Sequence, residues 1–253
     1  MKEYVNNFLL MLQFLTRIPI NINLKCEKDN FKKGAIFLPV IGLIIGIIQL
    51  CTYYIGISFF SPSITAILVF LTAMLLTGAL HIDGLGDTCD GFYSFNNKEK
   101  IIEIMKDSRV GTFASIAIIC DVLMKIELYK IAITNNAVSI IIIANIISRF
   151  SIVFLSYIGK RAKSTGSGNL FIGNMSNNIM IVSLIISLLL SITLLGIINS
   201  LIIIITSIII SIIISKYSEK KIGGLTGDLL GANNEIIEIS VLLILIYLKL
   251  DFI

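Results

Sequence analysis

The sequence predicts an all-α fold: one integral membrane domain over residues 1–253, a polytopic helical bundle of about seven transmembrane helices. Composition is the first reason. Hydrophobic residues make up 56% of the chain and charged ones 14%, where soluble domains run near ~25% charged. Too few polar side chains are present to cover a soluble core of this size. Arrangement is the second reason, because the apolar residues come in long blocks rather than in alternation. The third is charge, since lysines and arginines gather in one class of connecting segment.

The N-terminal stretch to Pro19 has a short apolar run, Phe8 to Leu15, with no small-residue cleavage site. It reads as an interfacial or partly inserted segment and not as a signal peptide. Blocks long enough to cross an apolar layer follow at 35–58, 64–80, 112–131, 137–158, 178–198, 200–215 and 236–252. The fifth and sixth form one stretch too long for a single span, so a tight re-entry at Asn199 is expected near Gly196 to Ser200.

The connections fall into two kinds. Segments 17–33, 81–111, 159–177 and 216–235 are long, polar and Gly-rich, while those near 59–63, 132–136 and 199 are short and uncharged. Seven spans put all four long segments on one side. They hold most of the cations, from Arg17 and Lys25 through Lys106, Arg109, Lys160 and Arg161 to Lys220 and Lys221. Only Lys125, Lys130 and Lys249 lie near the other side. The positive-inside rule then makes the long loops cytoplasmic. It also accounts for the net charge of +4 without a nucleic-acid partner.

Three charges fall within or near the spans: Asp121, Arg149 and Glu238. Charges at such depth face the bundle interior and are paired, and Asp121 with Arg149 is the expected pair. Glu238 lies one helical turn beyond Glu235 and so extends the last loop inward. Four cysteines with no CxxC pair, and His81 as the chain's one histidine, leave little basis for a zinc site.

The richest stretch is Gly78-Ala79-Leu80-His81-Ile82-Asp83-Gly84-Leu85-Gly86-Asp87-Thr88-Cys89-Asp90-Gly91. Asp83, Asp87 and Asp90 stand at i, i+4 and i+7, so a helix carries all three carboxylates on one face. Clustered carboxylates repel unless a cation sits among them, and an oxygen-only set suits Mg²⁺ or Mn²⁺ with bound phosphate completing the shell. The glycines allow a bulky ligand to approach the backbone. A solvated acidic helix end explains one or two aspartates but not three in register. His81 is off the carboxylate face and is open to a role as base, phosphate partner or interfacial residue.

Lys106-Asp107-Ser108-Arg109 precedes an apolar block. Lys106 and Arg109 are suited to phosphate oxygens, and Ser108 or Thr112 to capping the helix that follows. The run Lys160-Arg161-Ala162-Lys163-Ser164-Thr165-Gly166 fits an anionic substrate and a positive-inside anchor equally. Gly223 to Glu235, with Gly227, Asp228, Asn233 and Glu235, lacks the GK[ST] of a phosphate-binding loop. Its oxygen donors form a second wall for a metal or ribose site. No Cys or Ser/His/Asp arrangement offers a covalent nucleophile. The residues therefore point to metal-assisted phosphoryl-group transfer at a membrane surface. A secondary transporter would carry such charges at the bilayer midplane and show inverted repeats. A purely structural subunit leaves the aspartates unexplained.

Taken together, His81 to Gly91, Lys106 to Thr112 and Gly224 to Glu235 resemble the cobalamin synthase family, whose enzymes are adenosylcobinamide-GDP ribazoletransferases. Phe14-Leu15-Thr16-Arg17-Ile18-Pro19 and the loop Gly166 to Phe171 fit as well, in the same order over nearly the whole chain. Thr165 stands where members often have an acidic residue. The resemblance implies a multi-pass enzyme of the cell inner membrane that joins adenosylcobinamide-GDP to α-ribazole, or its 5′-phosphate, and releases GMP. It implies Mg²⁺ held by Asp83, Asp87 and Asp90, with Arg109 stabilising charge on the leaving phosphate and His81 or one aspartate as base. Lys106, Asp107, Ser108, Gly227, Asp228, Asn233 and Glu235 are then substrate-binding candidates. Membrane lipid surrounds the protein, and a homo-oligomer is left open. A lipid-forming CDP-alcohol phosphotransferase shares this chemistry, but the DG-x₂-AR start of its motif is absent, since Asp87-Thr88 follows Gly84-Leu85-Gly86.

Overall fold

The computed structural model describes residues 2–94, 97–163 and 166–250, so Ser164 and Thr165 of the third loop lie outside it. Among the described residues the chain is helical, and its one extended pairing is a parallel bridge between Arg161 and Leu225. Two short helices, α1 (Lys2–Leu15) and α2 (Lys28–Gly34), lead through a 3₁₀ turn into α3 (Leu38–Phe59). Then come α4 (Pro62–Thr77), α5 (Leu80–Tyr93), α6 (Lys98–Ile104) and α7 (Thr112–Thr134). The second half is α8 (Ser139–Ile158), α9 (Asn177–Leu195), α10 (Ile197–Ile222) and α11 (Gly227–Leu250).

Five helical stretches are long and apolar enough to cross a membrane: Lys28–Phe59, Ser139–Ile158, Asn177–Leu195, Ile197–Ile222 and Gly227–Leu248. A sixth span results if α4 and α5 are taken as one, although they meet at 86°. We read α4 as the spanning limb and α5 as lying across its end. Against about seven expected, α7 accounts for the difference. It has the length, but Asp121, Lys125, Glu127 and Lys130 lower its hydropathy. The break between α9 and α10 falls at Gly196, whose φ of 77° suits glycine, rather than at Asn199.

α8 is the axle of the bundle. Its apolar window is 89% buried inside the protein, against 22% for α9 and 28% for α10, so the latter two present most of their surface to lipid. Where α9 and α10 do pack inward they use serines. Ser183, Ser187 and Ser191 on one helix and Ser200, Ser207, Ser211 and Ser218 on the other are all buried. Small residues at such spacing let membrane helices approach closely.

The four polar loops converge at one end of the bundle. The Arg17 N–H donates to the Leu76 carbonyl at 2.6 Å, and Leu225 exchanges backbone bonds with Lys160 and Ala162 at 2.7 and 2.9 Å. Lys221 Nζ reaches the Phe92 carbonyl at 3.1 Å. The shared side inferred from span count and charge is thus a physical cluster of loops.

Candidate active site

The site begins with how α5 is entered. Gly78 closes α4 in the left-handed region at φ 62°, and Ala79 follows at φ 58°. Such a conformation is strained for a residue with a Cβ. The pair turns the chain sharply enough to lay α5 across the loop end, and the Arg17 guanidinium packs directly over Gly78. In this pose Asp83 is exposed and Asp87 half-buried, while His81, Gly84, Leu85 and Thr88 face inward.

On its inner side α5 meets α11 nearly backbone to backbone. A Cβ on Gly84 would stand 2.7 Å from the Asp228 carbonyl oxygen, and one on Gly231 3.0 Å from that of His81. Close approach was expected of a ligand; here a helix makes it. The crossing brings Asp228, in the first turn of α11, into one cleft with Asp83. Burial, and after it the carboxylates of Asp83, Asp228 and Asp90, push the Asp87 carboxyl up to about 7.

Asp90 is committed elsewhere. Its Oδ2 accepts from the Gly111 N–H at 2.6 Å and its Oδ1 from the Ala114 N–H at 2.8 Å. It therefore caps the start of α7 from a neighbouring helix. Ser108 and Thr112, the expected caps, do not, and Gly111 holds the cap position with no side-chain bond of its own. The three carboxylates share a face as their spacing implies, but only Asp83 and Asp87 are free of such bonds.

This bears on a metal. Among the described residues no three Asp, Glu, His or Cys groups stand close enough to hold one ion. Mg²⁺, however, commonly takes one or two carboxylates and completes its shell with water and ligand phosphate. Asp83 and Asp87 fit that pattern as hard donors one turn apart, with a carboxyl at Asp87 that a nearby cation would relieve. Asp228 Oδ2 is buried with no hydrogen-bond partner among the described residues, and the Lys163 ammonium lies 3.9 Å from it.

Two clefts flank α5, and Asp83 lines both. On the α7 side, Asp83 and Asp87 face Lys106, Asp107, Ser108 and Arg109. Arg109 Nε lies 3.0 Å from each Asp107 carboxylate oxygen and its Nη2 lies 2.5 Å from Oδ2. These guanidinium bonds, with the Arg109 backbone N–H, hold the Asp107 carboxyl down to about 2. Arg109 thus stands 87% exposed but oriented. On the α11 side the cleft is mostly apolar, lined by Phe14, Leu15, Leu38, Ile152, Phe171 and Leu230, with His81, Asp83, Asp228, Gly168 and Gly227 also in its lining. His81 is only 5% exposed, held neutral by burial and then by the nearby Arg149.

Asn233 and Glu235 point away from both clefts. The Asn233 amide donates to Ser151 Oγ at 2.8 Å and accepts from Ser211 Oγ at 3.1 Å, tying α8, α10 and α11 together. Glu235 forms an ion pair with Lys125. That lysine also lies 3.6 Å from Asp121 and 3.7 Å from Glu238. Glu238 in turn accepts from Arg149 at 3.0 Å and from the Tyr129 hydroxyl at 3.0 Å. The expected Asp121–Arg149 pair does not form. α11 packs against both α7 and α8, which barely touch, so its glutamates intercept both cations. Sequence reasoning placed Lys125 at the far side and missed it. Its signal was the i, i+4 spacing from Asp121 inside an otherwise apolar helix. Phe14 and Phe171 fall in two segments that fit the family resemblance, but nothing in their spacing marked them as lining one cleft.

A family model described as cobalamin-5-phosphate synthase matches residues 7–246. A Clostridium tetani protein named adenosylcobinamide-GDP ribazoletransferase is 52% identical over 247 residues, covering 97% of this chain and 98% of that protein. A Clostridium kluyveri protein of the same name is 49% identical over 252 residues, with 97% and 98% covered. No solved structure matches the chain. The match takes in α5, both clefts and the buried ion network alike, and the protein belongs to the cobalamin-5-phosphate synthase family.

Proposed function

We propose that this chain joins adenosylcobinamide-GDP to α-ribazole, or its 5′-phosphate, giving adenosylcobalamin or its 5′-phosphate and GMP. The observation that carries the reading is Asp83, an exposed carboxylate common to a charged cleft that holds Lys106 and Arg109 and to an apolar one, as suits a two-substrate transfer at a diphosphate. The near-full-length relatives of that name support it.

The diphosphate lies on the α7 side, where Lys106 and Arg109 offset its charge. Asp83 and Asp87 would hold Mg²⁺, which when bound supplies further charge neutralisation on the diphosphate. A ribose hydroxyl of the acceptor enters from the α11 side and attacks the phosphorus that bears cobinamide. The new O–P bond forms as the bridging P–O bond breaks, GMP leaves with that bridging oxygen, and the hydroxyl proton passes to Asp228. His81, buried and neutral, shapes the floor below; Asn233 and Glu235 hold α11 in register. The loops 81–111 and 216–235 face the cytoplasm of a cell membrane, by the excess of lysine and arginine at that end.

The test is GMP release by purified protein in detergent with Mg²⁺ and both substrates. Release above a chelator control is expected, and its absence removes the assignment. In a cysteine-free background, Asn97→Cys should label from the cytoplasm only.

A further inference from the structure

We infer that the apolar cleft on the α11 side of Asp83 is the seat of the acceptor's planar aromatic base, with Phe14 and Leu80 as specificity-determining residues. This rests on the transferase reading above, which names the two substrates but not where each sits.

The lining distinguishes them by its apolar and aromatic character. The α11-side cleft is formed mostly by apolar side chains with Asp83 and Asp228, and the Lys163 ammonium lies 3.9 Å from Asp228. The opposite cleft offers Lys106 and Arg109 beside Asp83, Asp87 and Asp107, and no aromatic side chain. The apolar wall is also built for a ring. Phe14 and Phe31 meet edge to face at 5.4 Å and 84°, and Phe171 closes the triangle at 5.7 Å from Phe14 and 6.2 Å from Phe31. Phe31 and Phe171 are buried by this packing, while Phe14 remains half-buried against the cleft. Leu80, 43% exposed, also lines the cleft as the first residue of α5.

Polarity within the cleft orients the ligand. Asp83 and Asp228 lie close enough to repel each other, and Asp228 Oδ2, 3.9 Å from the Lys163 ammonium, has no hydrogen-bond partner among the described residues. A buried acceptor left unpaired costs free energy that a ligand hydroxyl recovers. A nucleoside with its base against Phe14 and its sugar against Asp228 satisfies both halves, and it places a hydroxyl beside Asp83 at the junction with the diphosphate cleft.

Two variants test this, at a half-buried position of α1 and an exposed one of α5. Phe14→Ala removes the ring face, and Leu80→Trp fills the cleft from a partly exposed position. Equilibrium dialysis of α-ribazole against the protein is read beside KM for each substrate in the GMP assay. Each variant should weaken α-ribazole retention and raise its KM by about tenfold, with KM for adenosylcobinamide-GDP kept within about twofold. A shift in the corrinoid KM instead overturns the inference. So does unchanged α-ribazole retention in both variants, the result expected if an acyl chain fills the cleft. Lack of GMP release by the unaltered chain counts against the transferase reading, whereas intact release with an unmoved α-ribazole KM counts against this seat alone.

Discussion

Helix α11 serves two acid-rich regions whose carboxylates differ in one respect, the partner. At its first turn Asp228 lines a cleft with an oxygen that no described residue hydrogen-bonds and whose nearest cation, Lys163, stands off at 3.9 Å. Two to three turns further in, Glu235 and Glu238 are 3% exposed and closed off by Lys125, Arg149 and Tyr129. Gln49 and Asn145 extend that network, with Gln49 donating to Tyr129 at 3.4 Å and Asn145 to Gln49 at 2.7 Å. Within an apolar layer an uncompensated charge is costly, so the deep carboxylates take protein cations. At the loop end Asp83 and Asp87 have no such partner among the described residues, and Asp228 has only the more distant Lys163. The same residue type is structural or chemical according to depth.

Removing a deep partner tests the first half of this contrast and should have the largest effect. Lys125→Met leaves Asp121, Glu235 and Glu238 with Arg149 as their one cation, a loss of about 3–5 kcal/mol seen as a lower unfolding midpoint in detergent. A variant that unfolds like the parent means the network is dispensable. Asp83→Asn tests the second half. It should cut GMP release by ~10²–10³-fold while leaving that midpoint in place, and retained turnover removes Asp83 from the site.

The helix crossing between the two regions comes next. Gly231→Ala puts a methyl 3.0 Å from the His81 carbonyl oxygen and 3.2 Å from its Cα, so α11 must move off α5 at a cost of about 1–3 kcal/mol. Stability and turnover should fall together, and a fall in only one separates packing from catalysis. Smallest is Asp90→Ala, which uncaps α7 and costs about 1 kcal/mol, with Asp90→Asn recovering part of it. A loss of activity in Asp90→Asn as deep as that of Asp83→Asn would return Asp90 to the metal set.

These outcomes also measure how far the sequence could be read. Spacing within one helix was legible: Asp83 and Asp87 do share a face, and the four polar loops do meet. What spacing cannot show is which partner wins a side chain. Asp90 has the right register for a metal and gives both oxygens to the backbone of α7. The glycines signalled close approach correctly, but not that α11 was the visitor. Lys125 and Glu235 are 110 positions apart, and nothing local to either marks the other. Arg149 was expected with Asp121 because those two helices are neighbours in the chain, whereas contact follows the packing of α11.

Asp83 stands between the clefts, with α11 walling one and α7 the other. An acceptor and a leaving nucleotide held on opposite flanks of one helix meet the phosphorus from opposite directions, as in-line displacement demands. If the proposed transfer runs this way, the stereochemical consequence is a single inversion of configuration at that phosphorus. A substrate made chiral there with sulfur would then give product of inverted configuration at that centre.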